Sequence, residues 1–479
     1  MRVLLLNPPT KNLYGQLGIQ LIPLGLGYLA GSLLEVNHQV DVIDLMAEPE
    51  REEQIDFSQY ELVGISSDTP RYFKSLQLAD RAKSAGALVV MGGYHVTFQD
   101  REAIESGNVD FVVRGEGEYV LRDLVNALEH TGDVSHIKGI SYKADGTFVR
   151  NPPAPFIQDL DAIPLPRREL FPKGKYLSVY DDRPMTTMVT SRGCPFDCAF
   201  CSASRFGGLK WRTRSLDSIL DEMELLINEG YQSFVFVDDN FTLNPRRVLD
   251  FTEEILRRKW DIRWWCFSRV DTIVKNPEMV RKMAEAGNRT MFLGLESANQ
   301  AILDGWGKKI TLDQQKEAVK ILKDNGIGVY ASFVLGDRRD TKESIQKTIR
   351  YARELDPETC QFSVLTPYPG TRLFEELRAK DLILTYDWDF YDGIHSVIKL
   401  ENLDPMELPK IAIRAYRKVY FRWRKIPVLI WSVLKKPIKF KFYLNEIFSG
   451  LRVMKALRKS KFRLTNPSTE KESFQLRRA

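Results

Sequence analysis

The first 130 or so residues alternate short, mostly apolar runs with stretches in which apolar residues recur every three or four positions. Unbroken apolar runs read as strands buried on both faces, and the longer period reads as helix. The pattern predicts strands over Val3–Asn7, Gln39–Asp44, Leu62–Ser67, Ala87–Gly92 and Asp110–Arg114, and helices over Gly25–Leu34, Ser75–Ala85 and Glu118–Leu128. Such alternation makes a doubly wound α/β domain on a parallel sheet. The turn Ala144-Asp145-Gly146 between two further apolar runs is a hairpin signal. Proline-rich segments at 151–155 and 163–166 then read as a linker.

A second series begins at Met185. Strands are predicted to end at Met188–Thr190 and to run over Ser233–Val237, Arg263–Phe267, Thr290–Leu295, Gly328–Leu335 and Gln361–Leu365. Helices are predicted over Leu216–Glu229, Pro277–Ala286, Leu312–Asn325 and Thr341–Leu355. Six strand–helix units predict a partial (β/α)6 barrel, with polar residues gathered at the strand ends where barrels place their chemistry. The expected division is residues 1–135, a hairpin and linker at 136–180, the barrel at 181–375 and a helical basic extension at 376–479.

A length of 479 residues fits two to three domains. Five cysteines without an even framework argue against a secreted disulfide scaffold. The opening apolar run is too short for a signal peptide, and no run reaches the ~18 residues of a spanning helix. The expected location is therefore a reducing, low-oxygen cytoplasm. Charge changes the picture at one end only. Between Lys410 and Arg463 lie seventeen Lys or Arg and the single acid Glu446, a net +16; the whole chain is +5, so the remainder is −11. Tyr416, Tyr420, Phe421, Trp423, Phe440 and Phe442 are interleaved with these charges. The mixture suits a peripheral contact with the anionic inner face of a membrane. It also suits an amphipathic subdomain packed on the core. Nucleic-acid binding is a third, disfavoured reading.

The candidate chemistry is a cysteine triplet, Cys194, Cys198 and Cys201, spaced C-x3-C-x2-C. Structural zinc takes four ligands and so does a four-iron cluster. Three thiolates leave one position open, unless zinc finds a distant fourth ligand. Cys266 and Cys360 have no neighbouring partner and read as buried core residues.

This triplet, with aromatic Phe200 before the last cysteine, resembles the signature of the radical S-adenosylmethionine (SAM) enzymes. Further matches are Phe236-Val-Asp-Asp-Asn-Phe-Thr242, Gly294-Leu-Glu-Ser297 and Pro367-Tyr-Pro-Gly-Thr371. The first domain, with Gly92-Gly93-Tyr94-His95-Val96-Thr97 and Arg114-Gly115-Glu116-Gly117-Glu118, resembles the flavodoxin-like cobalamin-binding domain of that family's largest subgroup. The resemblance spans roughly residues 1–400. It implies a [4Fe–4S] cluster on the three cysteines, with SAM on the open iron and cleaved to a 5′-deoxyadenosyl radical. It implies SAM contacts from Phe200, Asp238, Asp239, Arg269, Glu296 and Ser297; an ordinary surface ion pair competes for Arg269. It implies cobalamin contacts from Ser66, Thr69, Gly92, Gly93, Thr97, Gly115 and Glu116. The Asp-x-His-x-x-Gly motif of cobalamin domains that ligate cobalt through histidine is absent, and His95 reads as a loop hydrogen-bonding residue.

The function implied is C-methylation of an unactivated carbon in a lipid, isoprenoid or tetrapyrrole, with an electron donor such as ferredoxin or flavodoxin. An oxidative cyclase or other non-methylating enzyme of the same architecture is the alternative. A methylthiotransferase finds no cysteines for a second cluster in residues 1–150. A metal-binding module docked on RNA gives no reason for the carboxylates at the strand ends.

Overall fold

A computed structural model describes residues 1–10, 21–176 and 183–420. Five parallel strands, β1 (Arg2–Asn7), β2 (Gln39–Asp44), β3 (Leu62–Ser66), β4 (Leu88–Gly92) and β5 (Phe111–Val113), form the first sheet. Alternate residues of β1 feed opposite layers. Val3 and Leu5 pack with helices α1 (Leu24–Leu34) and α5 (Glu118–His130), and Leu4 and Leu6 pack with α2 (Tyr72–Ser84). Both faces are therefore covered, as an apolar strand requires. Two short helices, α3 (Tyr94–Phe98) and α4 (Asp100–Glu105), connect β4 to β5.

The hairpin expected in the connecting segment joins this sheet. Its strands β6 (Ile140–Ala144) and β7 (Thr147–Arg150) add antiparallel, giving seven strands in the order β2-β1-β3-β4-β5-β6-β7. The three-residue β5 would otherwise present its backbone as an open edge. The proline-rich segment then crosses α1, where Gly27 and Gly31 admit Pro166 and Pro164 at close range.

The second sheet has six parallel strands: β8 (Met185–Met188), β11 (Ser233–Phe236), β12 (Arg263–Ser268), β13 (Asn288–Glu296), β14 (Gly328–Leu335) and β15 (Thr359–Val364). A short antiparallel pair, β9 (Ser191–Arg192) and β10 (Arg212–Thr213), frames the cysteine loop and its helix α6 (Ser202–Phe206). The outer layer comprises α7 (Leu216–Asn228), α8 (Pro245–Arg258), α9 (Val270–Lys275), α10 (Pro277–Glu285), α11 (Gln300–Gly305), α12 (Leu312–Asp324) and α13 (Lys342–Leu355). Thr311 and Thr341 close capping boxes on α12 and α13, and Asn244 caps α8 ahead of Pro245. The two-residue period sorts the strand side chains. Trp264, Cys266, Cys360 and Phe362 point into the helix layer, whereas Trp265 and Phe267 belong to a separate group inside the barrel with Met185 and Val235. Cys266 and Cys360 are the core residues expected.

Beyond β15, α14 (Arg372–Ala379) and the segment to Ile398 fill the seam between the sheets. Trp388 donates its indole N–H to Glu102 at 2.9 Å and meets the His95 ring edge-on. Finally α15 (Leu408–Tyr420) lies along β15, the free edge of the barrel sheet. Tyr416 and Tyr420 accept the Phe362 and Cys360 amides at 3.0 and 2.8 Å and donate to the same residues' carbonyls. Two phenols thus do for the edge what another strand would. This part of the basic extension packs on the core; its remainder, and the membrane reading attached to it, lies outside the described residues. Among the described residues no helix is long and apolar enough to cross a membrane.

Candidate active site

The cysteine loop leaves the end of β8 and is held from below by β11. Buried Asp238 accepts from the Thr190 amide at 2.7 Å and from the Thr190 and Ser191 hydroxyls at 2.5 Å each. Burial lifts its carboxyl above the usual range, against the pull of Arg247 and these donors. Asp239 accepts the Gly193 amide at 3.0 Å; burial raises it to about 6, the Gly193 N–H opposing. Gly193 has φ +83°, and a Cβ there would strike the Lys210 carbonyl, so the turn into Cys194 needs glycine. The other end is tied to the loop after α11 and to α14. Ala199 donates to the Trp306 carbonyl at 2.9 Å, Leu373 donates to Ala199 at 2.9 Å, and Phe200 meets the Trp306 ring edge-on.

The three thiols sit together. Cys194 and Cys198 are buried and Cys201 half-buried, and Cys201 donates its amide to the Cys198 carbonyl at 3.0 Å. Among the described residues no three His, Cys, Asp or Glu side chains converge on a single ion. Thiols that each bind a different iron of a cubane stand further apart than ligands around one ion. Arg269 lies beside Cys198, its guanidinium 4.0 Å from the sulfur and 3.7 Å from the Phe196 ring centroid, and it donates to Asp271 and to the Lys308 carbonyl. It is buried, so an exposed surface bridge is not its setting. Glu296 has a left-handed φ of +65° at a register shift between Gly294 and Glu296. A bulge of this kind re-aims a side chain beside a site. Its carboxylate pairs with buried Lys308 at 2.7 Å. Ser297 is buried next to it, its hydroxyl capping the Asn299 amide at 3.1 Å.

The carboxyl edge of the first sheet faces this loop. Gly93, at φ +108°, lies so close to Ser67 that a Cβ would strike its backbone, and Ser67 donates to the Gly92 carbonyl at 2.8 Å. Thr97 donates to the Gly93 carbonyl at 2.8 Å and accepts the Gly115 amide at 3.0 Å. His95 sits in α3 rather than in a loop, and its Nδ1 lies 3.2 Å from the Thr69 hydroxyl of the segment after β3; burial drives its pKa down to about 3. Glu116 turns toward the barrel. It bonds Arg192 at 3.2 Å, Arg212 at 2.8 Å and the Ile157 amide at 2.8 Å. Ser66 ends β3 opposite Gly92. Tyr94 reaches across to Phe206 of α6, with ring centroids 4.3 Å apart.

Several site residues escaped the sequence reading. Lys308 stands in Gly307-Lys308-Lys309, which looks like any exposed basic turn. Asn240 follows Asp239 directly; it is 1% exposed and neither amide atom has a partner in the structure. Unpaired buried amides are rare and point to a ligand or water. An orphan donor and acceptor at the strand end suits the amino-acid half of SAM. Asp68 Oδ1, buried without a partner at the first sheet's edge, suits an amide donor such as those around a corrin.

Fold and site together define a radical-SAM partial barrel joined to a B12-binding sheet. The radical SAM superfamily model matches residues 188–352, and the B12 binding domain model matches 13–125. The chain is 38% identical over 436 residues to an uncharacterized methyltransferase of Pyrococcus horikoshii, covering 88% of this chain and 93% of that one. It is 30% identical to the anaerobic magnesium-protoporphyrin IX monomethyl ester cyclase of Rubrivivax gelatinosus, covering 88% and 77% respectively. The same fold is seen in the cobalamin-dependent radical SAM enzyme OxsB, with a TM-score of 0.72, 18% identity and coverage of 99% of this chain and 74% of that one. The chain belongs to the cobalamin-dependent radical SAM methyltransferase family. It is an enzyme whose cofactors are a [4Fe–4S] cluster, SAM and cobalamin.

Proposed function

We propose that this enzyme methylates an unactivated carbon of a large apolar molecule: a lipid, an isoprenoid or a tetrapyrrole. The observation that carries the substrate class is a row of rings inside the barrel. Trp265, Phe267, Phe292 and Tyr330 touch in sequence across β12, β13 and β14, at centroid separations of 5.5, 4.9 and 5.0 Å. Phe267 and Phe292 keep partial exposure although they face the interior. An aromatic wall of this kind favours a flat or greasy substrate.

In this reading Cys194, Cys198 and Cys201 hold the cluster and leave one iron to SAM. The bound cofactors supply the hydrogen-abstracting radical and the methyl group. The chain supplies placement. Asp238 and Asp239 fix the loop and would serve SAM's amino group. Arg269 would take SAM's carboxylate, Glu296 and Ser297 its remaining polar groups, and Phe200, against Trp306, would flank the cluster. Ser66, Thr69, Gly92, Gly93, Thr97, Gly115 and Glu116 shape the cobalamin edge. Of the expected divisions, the one at 135 is better drawn after the hairpin at 150, and the one at 375 after α14 at 379. A small-molecule substrate and a low-potential electron donor are implied by the family; ferredoxin or flavodoxin is the donor proposed, and basic residues beyond 420 are the proposed membrane contact.

A second reading, oxidative ring closure without methyl transfer, rests on the likeness to the magnesium-protoporphyrin cyclase. Anaerobic reconstitution with methyl-labelled SAM and a lipid extract separates the two. Methylation predicts a product carrying the labelled methyl group; a product that has lost hydrogen without gaining label favours the cyclase.

A further inference from the structure

Lys308 is turned inward by its neighbours. Gly307 and Lys309 both have left-handed φ, +69° and +55°, and Lys309 is exposed while Lys308 is 8% exposed. Its ammonium donates to Glu296 at 2.7 Å, and its carbonyl accepts from Arg269, the residue that reaches Cys198. The pair rests on Gly294, where a Cβ would collide with both the Glu296 carboxylate and the Lys308 nitrogen. Gly294 therefore opens the space in which the pair lies. Burial pushes the Cys198 thiol above its ordinary range; among the surrounding charges Lys308 opposes this most, Arg269 next, and Glu296 acts weakly the other way. The turn that carries Lys308 is itself laid on the cysteine loop, where the Trp306 carbonyl accepts the Ala199 amide at 2.9 Å, so the pair adjoins Cys198. A buried ion pair is costly to keep and is not needed for packing. Its place beside the cysteine loop gives it a use.

We propose that Lys308 is a positioning residue that, with Glu296, presents a fixed dipole to the Cys198 corner of the cluster and sets how readily the cluster is reduced. The proposal rests on Cys198 being a ligand. Reduction takes one electron from a low-potential donor and adds one negative charge to the cluster. A fixed positive charge beside one thiolate, poorly screened in the interior, stabilises that product more than the oxidised form.

Potentiometry of the reconstituted full-length enzyme without SAM, followed by electron paramagnetic resonance, tests this. Lys308→Gln is expected to make reduction about tenfold less favourable, ~59 mV more negative for a one-electron couple. Glu296→Gln is expected to shift the midpoint the opposite way, and Lys308→Arg to leave it near wild type. Midpoints of Lys308→Gln and Glu296→Gln that both stay at the wild-type value, or move in the same direction at full iron and sulfide content, overturn the proposal. If Lys308→Gln does not assemble, Glu296→Gln and the double variant Lys308→Gln/Glu296→Gln, which buries no lone charge, decide it: an unmoved Glu296→Gln midpoint overturns it. Cys198→Ala separates the two ideas, since full cluster content there sinks the ligand reading whatever the midpoints show.

Discussion

Arg192, two residues before Cys194, donates to Glu118 at 2.6 Å across the junction between the barrel and the first sheet. Glu116 joins the same knot through Arg192 and Arg212, and the Arg192 guanidinium lies 5.3 Å from the centroid of the Tyr28 ring. The loop that carries the cysteines is therefore anchored to α5, and through it to the sheet that faces it.

Breaking this knot should loosen both halves. Arg192→Ala leaves two mostly buried carboxylates short of a partner. The expected cost is about 3 kcal/mol, the low end for breaking a buried pair because Arg192 keeps some solvent contact. Chemical denaturation measures it; a loss under about 1 kcal/mol would class the knot with surface bridges.

Acid should attack the same place. Burial pushes Glu116 up, but the Arg212 hydrogen bond, Arg192 and the Ile157 amide outweigh it and hold its carboxyl below the ordinary 4.5. A depressed folded value contributes stability above the unfolded value, and that stability is lost as pH falls through the folded one. Glu116→Gln should flatten the acid limb of a stability-against-pH curve. An unchanged limb would show that Glu116 is not ionised in the knot.

Asn240 should carry a double signature. Its unpaired amide is a cost of about 1–3 kcal/mol in the protein without SAM. Asn240→Leu, near in shape, should raise that form's stability while weakening SAM binding roughly tenfold, since about 1.4 kcal/mol is a factor of ten. Equilibrium binding and thermal unfolding read the two; equal SAM affinity in variant and wild type would remove Asn240 from the site.

The basic extension includes α15, which packs on the β15 edge. Truncation after 407 removes α15 and uncovers the β15 edge, and should destabilise the barrel and promote association. Truncation after 420 should keep the fold but reduce binding to anionic vesicles, with the wild-type interaction weakening as salt rises. Equal vesicle binding by the 420 truncation and the full chain would reject the membrane role.

The parts legible in the sequence are those written in local pattern. Strand β2 and strand β14 fall on the predicted residues, and the three cysteines are recognisable from spacing alone. What stayed hidden depends on tertiary contact. Helix α8 was not read, since seven charged residues crowd it and only Val248, Phe251, Thr252 and Ile255 are buried. The inward turn of Lys308 is set by two left-handed neighbours, and the aim of Glu296 by a bulge; neither leaves a periodic trace. Asp238 was legible as a strand-end carboxylate, but its three donors, from Thr190 in the turn after β8 and Ser191 on β9, are not. Glu116 was legible as a loop acid of the cobalamin edge, whereas its partners Arg192 and Arg212 lie 76 and 96 residues away.

Iron and sulfide analysis of the anaerobically reconstituted protein, with resonance spectra taken before and after SAM, tests the three-thiol site itself. A site with one open iron predicts a full [4Fe–4S] complement whose spectrum changes on adding SAM, and loss of that response in Cys194→Ala, Cys198→Ala and Cys201→Ala alike. A cluster indifferent to SAM, or one that persists intact without any one of those thiols, would contradict it.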